Sequence, residues 1–164
     1  MEMMPLIKAY ISVGSNIGDK RENLDFAVKS LERGGTVLQV SPCFETEPVG
    51  YGDQPWFLNI AVEMETSLDP FALLALCMEI EQSRGRTREF PNAPRTLDLD
   101  ILFFGDRIIR KKDLIVPHPR LSERKFVLEP MSRIAPGLVH PLFRKTIQSL
   151  LEECKDPSQV RLCI

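Results

Sequence analysis

The chain has 164 residues, 43% of them hydrophobic and 27% charged, a composition typical of one globular domain that buries roughly 70% of its unfolded surface. A net charge of −2 provides no basic field for a nucleic acid or a membrane surface, and the four cysteines and two histidines lack the spacing of a zinc site or a disulfide framework. The longest apolar run, residues 71–78, is too short to cross a bilayer, so we expect a single soluble, cytoplasmic domain over residues 1–164.

The beginning of the chain predicts a strand, a turn and a helix. Apolar residues alternate over 6–13, which is the period of a strand, and a turn follows at 14–18. Asp19 caps a helix, Glu22 completes its capping box, and the pair Gly34-Gly35 ends it. The turn is glycine-rich, as phosphate-binding turns are, but it matches neither a Walker A loop nor Gly-x-Gly-x-x-Gly. We therefore interpret it as turn geometry.

Two more strands follow, over residues 36–45 and 57–65. The loop between them, at 46–55, is rich in glycine and proline, which is typical of a shaped or mobile segment. The strand over 57–65 alternates cleanly, so Phe57 and Asn59 lie on the face opposite its apolar residues.

The second helix opens at Asp69 and Pro70, a cap followed by a proline at the first helical position. Residues 71–78 are apolar almost all round, which predicts a buried helix. Glu81 continues the row of Leu74 towards the packed side. Because Glu81 is also in the last turn, the sequence alone favours a solvated side chain in a fraying helix end.

A second pattern alternates apolar residues with two aspartates. The alternation has the period of a strand. One face of this strand is predicted to carry Leu97, Leu99, Ile101 and Phe103, and the other face Asp98 and Asp100. Carboxylates at i and i+2 lie roughly 6 to 7 Å apart along a strand. That spacing suits one or two hard cations bridged by phosphate oxygens, since Mg²⁺ takes few protein carboxylates. The alternative is an amphipathic strand with a solvated acidic face.

The loop before this strand carries Arg86, Arg88 and Arg95. Guanidinium groups bind phosphate in a bidentate manner, so three of them close to two aspartates predict a triphosphate clamp. The alternative is that these charges are simply solvated.

The last third of the chain contains short elements. Residues 108–109 and 114–116 are candidate pairing segments, and His118 lies in a rigid Pro-His-Pro sequence, where its role is either structural or functional. Residues 126–130 are apolar and end in a proline, which predicts a stop, and 146–154 predict a short terminal helix.

The order strand, helix, strand, strand, helix, strand predicts an α+β fold with a ferredoxin-like β-α-β-β-α-β core. In this arrangement an antiparallel sheet carries its helices on one face. Asn59, Asp98 and Asp100 then belong to the opposite, open face, which is where we expect a substrate site.

The segment Pro-Arg-Thr-Leu-Asp-Leu-Asp-Ile at 94–101 strongly resembles the signature of the 6-hydroxymethyl-7,8-dihydropterin pyrophosphokinase family. Residues 10–16, 54–59, 86–88 and 116–118 are also similar to segments of that family. The resemblance implies the ferredoxin-like fold and a Mg²⁺-dependent enzyme of folate biosynthesis. Such an enzyme transfers a diphosphate from ATP to a pterin alcohol and releases AMP.

Residue roles follow from the resemblance position by position. The metal ligands for two Mg²⁺ ions are Asp98 and Asp100, which are catalytic together with Arg86 and Arg95. The ATP-binding positions are Glu81, Arg86, Arg88, Arg95, Ile101, His118 and Arg124. The pterin-binding positions are Asn59 as a hydrogen-bonding amide, Phe57 and Phe126 as stacking rings, and the backbone of the loop that includes Thr46 and Val49. The implied partners are ATP and the pterin, with no nucleic acid and no membrane, and we expect a monomer with at most weak contact to neighbouring folate-pathway enzymes.

Phe57 and Pro91 depart from the family pattern, because a tyrosine and a polar or basic residue are common at those positions. These departures concern fine contacts and loop closure and leave the metal centre intact. Two other functions share parts of the pattern. A two-metal phosphohydrolase needs further acidic or histidine ligands near the aspartates, and an RNA-binding module of the same element order needs exposed aromatic residues and a basic surface.

Overall fold

An antiparallel sheet of six strands organises the structure, a computed structural model that describes residues 5–48, 54–85 and 96–163. The strands among these residues are β1 (Ile7–Ser15), β2 (Thr36–Val40), β3 (Phe44–Thr46), β4 (Phe57–Thr66), β5 (Asp98–Phe104), β6 (Ile109–Arg110), β7 (Ile115–Val116) and β8 (Val160–Leu162). The helices are α1 (Lys20–Leu31), α2 (Pro70–Ser83), α3 (Lys125–Ile134) and α4 (Ile147–Glu153), with 3₁₀ turns at Glu32–Gly34 and Leu121–Glu123.

The strand order is β5-β1-β4-β3-β8, with β2 also paired to β4, while β6 and β7 form a separate hairpin. The predicted strand over 36–45 is therefore two strands, β2 and β3. The break falls at Ser41 and Pro42, where Ser41 Oγ accepts the N–H of Ala61 at 2.8 Å. Proline has no N–H to donate to the ladder, so the side chain of Ser41 takes over one of the sheet contacts there.

Helices α1 and α2 pack on one face of the sheet, as predicted, and share a core with β1, β4 and β5. Their caps are also confirmed. Asp19 Oδ1 accepts the N–H of Glu22 at 3.1 Å, and Asp69 Oδ1 accepts two main-chain N–H groups at 2.9 Å each. These side chains satisfy donors that would otherwise have no partner in the first turn of each helix.

Helices α3 and α4 cover part of the opposite face, so the expectation of a fully open second face is wrong. Leu128 and Met131 of α3 are fully buried in a second core that includes Tyr10 and Phe103 of the sheet. The predicted stop at Pro130 is wrong for the same reason. Pro130 lies inside α3, which continues to Ile134, because burial on both sides of the proline outweighs the loss of one helical hydrogen bond.

The alternation of β5 is correct up to Ile101 and changes beyond it. Ile11 pairs with Ile101 but Tyr10 pairs with Phe103, so Leu102 is the extra residue of a β-bulge. Phe103 consequently lies with Tyr10 on the second face instead of with Leu99 and Ile101 on the first. Within the described residues, none of the helices has the length and apolar character needed to cross a membrane.

Candidate active site

The uncovered part of the second face lies where the C-terminal end of β1 meets the first residues of β4 and β5. Gly14 of β1 pairs with Asn59 of β4 on one side and with Asp98 of β5 on the other. Residues paired across strands point to the same face, and neighbouring strands are about 4.8 Å apart. The row Asn59–Gly14–Asp98 therefore holds an amide and a carboxylate roughly 10 Å apart on one rigid surface.

Because Gly14 has no side chain, the neighbouring side chains occupy the space above it. A Cβ at this position would lie 2.5 Å from Oδ1 of Asn59 and 3.5 Å from the ring of Phe57. The middle of the row is therefore a shallow floor between the side chains of Asn59 and Asp98. Sequence reasoning assigned this glycine only to a turn, and the missing signal was the cross-strand register.

The amide of Asn59 is buried and fixed. Its Nδ2 donates to Oγ1 of Thr46 at 2.6 Å, and Thr46 is itself only 1% exposed. The resemblance assigned Thr46 to the pterin through its backbone, and the structure adds a side-chain contact that sets the direction of the Asn59 amide. Phe57, the first residue of β4, is directly across from Thr46.

The segment before β4 is held by the β1–α1 turn. Nδ2 of the fully buried Asn16 donates to Oε1 of Gln54 at 2.6 Å and to the carbonyl of Pro55 at 3.1 Å. Nζ of Lys20 donates to the carbonyl of Trp56 at 2.8 Å. The turn that the sequence analysis treated as geometry alone thus anchors the residues that lead into the site.

The C-terminal strand β8 also reaches this region. The guanidinium of Arg161 lies 4.5 Å from the ring centre of Trp56, and its Nε donates to Glu45 at 2.8 Å. Nothing in the sequence pattern had predicted β8, because three residues are too few for a periodicity signal.

Glu81 is buried, so the expectation of a solvated side chain is wrong. Only 5% of its surface is exposed, and its Oε2 accepts the main-chain N–H of Leu99 at 2.8 Å. Leu99 lies between Asp98 and Asp100, whose side chains are on the second face. The helix end does not fray here because α2 packs against β5 through this contact.

His118 lies beyond the hairpin and its ring is held by the main chain. The main-chain N–H of His118 donates to the carbonyl of Leu102 at 3.0 Å, and the ring Nδ1 accepts the main-chain N–H of Arg120 at 3.2 Å. Burial lowers the pKa of His118 to about 4, helped by the cations Arg124 and Arg120 and opposed by Asp98. The imidazole is therefore neutral at pH 7, and because Nδ1 accepts a hydrogen bond its proton is on Nε2.

The remaining residues that the resemblance assigned to the nucleotide and the pterin lie around the same region. The guanidinium of Arg124 lies 5.5 Å from the ring centre of Phe126, at the start of α3. The side chain of Ile101 is buried in the first core, on the opposite face from Asp98, so only its main chain is available to a ligand. A cleft of about 820 Å³ runs between α2 and the edge of β5, with Glu81 and Asp100 in its wall.

Four of the predicted site residues, Val49, Arg86, Arg88 and Arg95, lie outside the described residues. In the part of the chain that the structure describes, no three acidic, histidine or cysteine side chains form a group that could hold a metal ion. Asp98 and Asp100 are thus a pair of oxygen donors. That number suits Mg²⁺, which is usually held by one or two carboxylates together with water and substrate phosphates.

Comparison with known proteins identifies the family. The protein-family model described as 7,8-dihydro-6-hydroxymethylpterin-pyrophosphokinase (HPPK) matches residues 10–136 of the chain. The chain is 55% identical, over 77% of each sequence, to the 2-amino-4-hydroxy-6-hydroxymethyldihydropteridine pyrophosphokinase of Bacillus subtilis. It is 40% identical to the protein of the same name from Methylorubrum extorquens, over 94% of this chain and 98% of that one.

Some similar proteins are much longer. The chain is 45% identical to the folic acid synthesis protein fol1 of Schizosaccharomyces pombe, of which it spans 21%. Among solved structures, Plasmodium falciparum HPPK-DHPS with pteroate has a TM-score of 0.74 at 16% identity, over 93% of this chain and 43% of that one. This structural likeness shows the fold alone, whereas the family model and the bacterial relatives show that the chain belongs to the 7,8-dihydro-6-hydroxymethylpterin-pyrophosphokinase family.

Proposed function

We propose that the chain, a pyrophosphokinase of folate biosynthesis, performs the transfer on the uncovered part of the second sheet face. The substrates are ATP and 6-hydroxymethyl-7,8-dihydropterin, and the products are AMP and the pterin diphosphate. The observation that carries this proposal is the row Asn59–Gly14–Asp98, which puts a fixed amide and a carboxylate on the same face of adjacent strands. A flat heterocycle fits at one end of such a row and a triphosphate at the other.

The pterin is proposed to bind at the Asn59 end. The amide is already oriented by Thr46, so Asn59 meets the polar edge of the ring without reorganising. Phe57 and Phe126 are proposed to stack on the two faces of the ring, which suits a planar heteroaromatic. Thr46 and Val49 are proposed to add main-chain contacts, and for Val49 the support is the family resemblance alone.

The phosphates of ATP are proposed to bind at the Asp98 end. Asp98 and Asp100 would hold two Mg²⁺ ions, which when bound neutralise the negative charge of the phosphates. The chain's own cations assist there. Arg124 and Asp98 both lie close enough to His118 to shift its pKa, so the three side chains share one region. The neutral His118 offers an N–H donor at Nε2. Arg86, Arg88 and Arg95 are proposed as phosphate ligands on the strength of the resemblance.

The proposed reaction is an in-line displacement at the β-phosphorus. The hydroxymethyl oxygen forms a bond to that phosphorus, its proton leaves to solvent, and the bond from the β-phosphorus to the oxygen of AMP breaks. The described residues include no obvious general base at this position, so positioning and electrostatic stabilisation carry the acceleration. The adenosine is proposed to lie along the cleft beside α2, near Glu81 and the main chain of Ile101.

The fold is proposed to be ferredoxin-like, and the strand order β5-β1-β4 followed by β2 and β3 supports this. We also propose one domain over residues 1–164, a monomeric state and a cytoplasmic location. Weak contact with a neighbouring folate enzyme is consistent with relatives in which HPPK and DHPS form one chain. An RNA-binding function is disfavoured, because Tyr10 and Phe103 on the second face are buried under α3 and cannot stack on bases.

The test is incubation of the protein with ATP, Mg²⁺ and 6-hydroxymethyl-7,8-dihydropterin, followed by chromatography of the nucleotides. We expect AMP only when the pterin is present, and its loss in Asp98→Ala. Asp106→Ala is the matched control, since Asp106 is exposed at the far end of β5. ADP or free phosphate without any need for pterin would instead indicate a phosphohydrolase, and no turnover would refute the enzymatic proposal.

A further inference from the structure

Glu81 is a buried carboxylate that contacts the backbone between two functional side chains. Its Oε2 accepts the N–H of Leu99 at 2.8 Å, and Leu99 separates Asp98 from Asp100. A buried carboxylate is unfavourable unless its oxygens are satisfied, and an apolar residue would pack as well at the end of α2. The contact therefore indicates a purpose beyond packing.

The position of β5 in the sheet explains why this contact matters. Among the described strands β5 is the end strand of the sheet, bonded to β1 on one side. Along an antiparallel strand successive N–H groups point alternately to the neighbour and away from it. Since the N–H of Leu99 meets Glu81, the N–H groups of Asp98 and Asp100 point towards β1. The strand is thus held from both sides over the residues whose side chains project into the proposed site.

The charges of this region also lie close together. Burial, as the main cause, and the negative charges of Glu81 and Asp100 together raise the pKa of the Cys77 thiol to about 12. Both carboxylates therefore act on one thiol of α2. The hydrogen bond of Glu81 is made to the main chain of Leu99, so this contact with β5 is to the backbone between the two aspartates.

We propose that Glu81 is a positioning residue that fixes the Leu99 amide and so sets the directions in which Asp98 and Asp100 project. This inference rests on the proposed role of the two aspartates as metal ligands. Glu81 raises the affinity for Mg²⁺ through the backbone of β5 and does not itself bind the ion.

Two substitutions separate this role from a direct one. Glu81→Gln keeps an oxygen that accepts the Leu99 N–H and removes the charge, whereas Glu81→Leu removes both. Glu79→Gln is the matched control, because Glu79 is exposed on the same helix and pairs with Arg33. The measurements are hydrogen exchange of the Leu99 amide by NMR, and Mg²⁺ titration in the presence of a non-hydrolysable ATP analogue.

We expect faster exchange at Leu99 in Glu81→Leu and a loss of Mg²⁺ affinity of about 10- to 100-fold, the usual effect of removing a group that orients a metal ligand. We expect Glu81→Gln to keep the protection of Leu99 and to stay within about threefold of the wild-type Mg²⁺ affinity, because the acceptor is retained. Equal losses in both variants would refute the proposal, since the charge itself would then be required. Unchanged Mg²⁺ affinity in Glu81→Leu would refute it too.

If Glu81→Leu does not fold, Glu81→Gln still tests the proposal: a loss of Mg²⁺ affinity of about tenfold or more in this isosteric variant, with the protection of Leu99 retained, would refute it. A failure of the proposed function is also distinguishable. In that case the unsubstituted protein produces no pterin-dependent AMP and binds no Mg²⁺ at Asp98, whatever the exchange rate of Leu99.

A separate observation concerns the cysteines of β3 and β8. Sγ of Cys43 and Sγ of Cys163 are 3.0 Å apart, and the N–H of Cys163 donates to the carbonyl of Cys43 at 2.9 Å. Phe44 pairs with Leu162, so the two cysteines are directly opposite at the end of the strand pair. Both are free and partly buried.

We infer that Cys43 and Cys163 form an intramolecular disulfide when the protein meets a peroxide. One thiol attacks the O–O bond and becomes a sulfenic acid with release of one water. The second sulfur then displaces the hydroxyl group, which leaves as a second water as the S–S bond forms. The bond would join β8 covalently to the strand that carries Thr46.

The test is treatment of the full chain with hydrogen peroxide, followed by peptide mapping without reduction and by thermal unfolding. We expect one linked peptide that contains Cys43 and Cys163. Closing a loop of about 120 residues should raise the unfolding temperature by roughly 10 °C, and Cys163→Ser should abolish both effects. Linkage through Cys154, intermolecular dimers, or oxidation of Cys43 and Cys163 to sulfinic acids without linkage would overturn the inference.

Discussion

Substitution of Gly14 by alanine tests the floor of the proposed pterin site. The new Cβ would lie 2.5 Å from Oδ1 of Asn59, a separation that real Cβ atoms essentially never show. Asn59 cannot simply move away, because its Nδ2 is bonded to Thr46 on the other side at 2.6 Å. The clash must therefore either stretch that buried hydrogen bond or turn the amide from its orientation.

The size of the effect on binding follows from the proposed hydrogen bond between Asn59 and the pterin. An amide turned from its orientation leaves a buried polar group of the bound pterin unsatisfied, which costs about 1–3 kcal/mol. Each 1.4 kcal/mol is about a tenfold change in a binding constant, so the dissociation constant of the pterin should rise about 5- to 150-fold. The nucleotide should bind as before, because Asn59 is at the far end of the row from Asp98.

Titration calorimetry with the pterin, and separately with a non-hydrolysable ATP analogue, measures both affinities. Gly137→Ala is the matched control, since a Cβ there would meet no atom within 4 Å. Thermal unfolding checks that each variant is folded. A folded Gly14→Ala protein with unchanged affinity for the pterin would refute the reasoning, and so would an equal loss of affinity for the nucleotide.

Three further predictions concern stability. Leu128→Ala, at a fully buried position of α3, should lower the free energy of unfolding by about 2–5 kcal/mol in urea denaturation. Tyr10→Phe should lower it by about 1–3 kcal/mol, because the buried Glu63 loses the hydroxyl that donates to it. The folded-state pKa of His118 is about 4 and its ordinary value is 6.5, so its contribution is complete above pH 6.5 and is lost as the pH falls towards 4. Urea denaturation at pH 7 and pH 4.5 should show this loss, about 2–3 kcal/mol, and His118→Asn should reduce it.

Local patterns were sufficient for the first core. Alternation in β1 and β4, the apolar run of α2 and the caps Asp19 and Asp69 each depend on neighbours within a few residues, and the structure confirms them. The break at Ser41 was not predicted, because the side chain replaces a main-chain contact only once the partner strand is in place.

The candidate site depends on more than local patterns. The family signature pointed to Asp98 and Asp100 as proposed metal ligands, but it could not show that the N–H between them would be held by Glu81, a residue of another element. Asn16 was also missed. A buried amide in a short turn has the composition of an ordinary turn, and only its contacts with the residues before β4 reveal what it anchors.

The bulge in β5 affects both the packing of the cores and the candidate site. Before it, the strand keeps strict alternation, so Asp98 and Asp100 both project from the second face with Leu99 in the core. After it, Leu102 and Phe103 both belong to the second core, under α3. One strand thus presents a polar half to the candidate site and an apolar half to a helix on the same face of the sheet. With strict alternation Phe103 would lie in the first core, and the packing under α3 would lose one aromatic side chain. That packing holds α3 on the sheet, and Phe126 is a residue of α3.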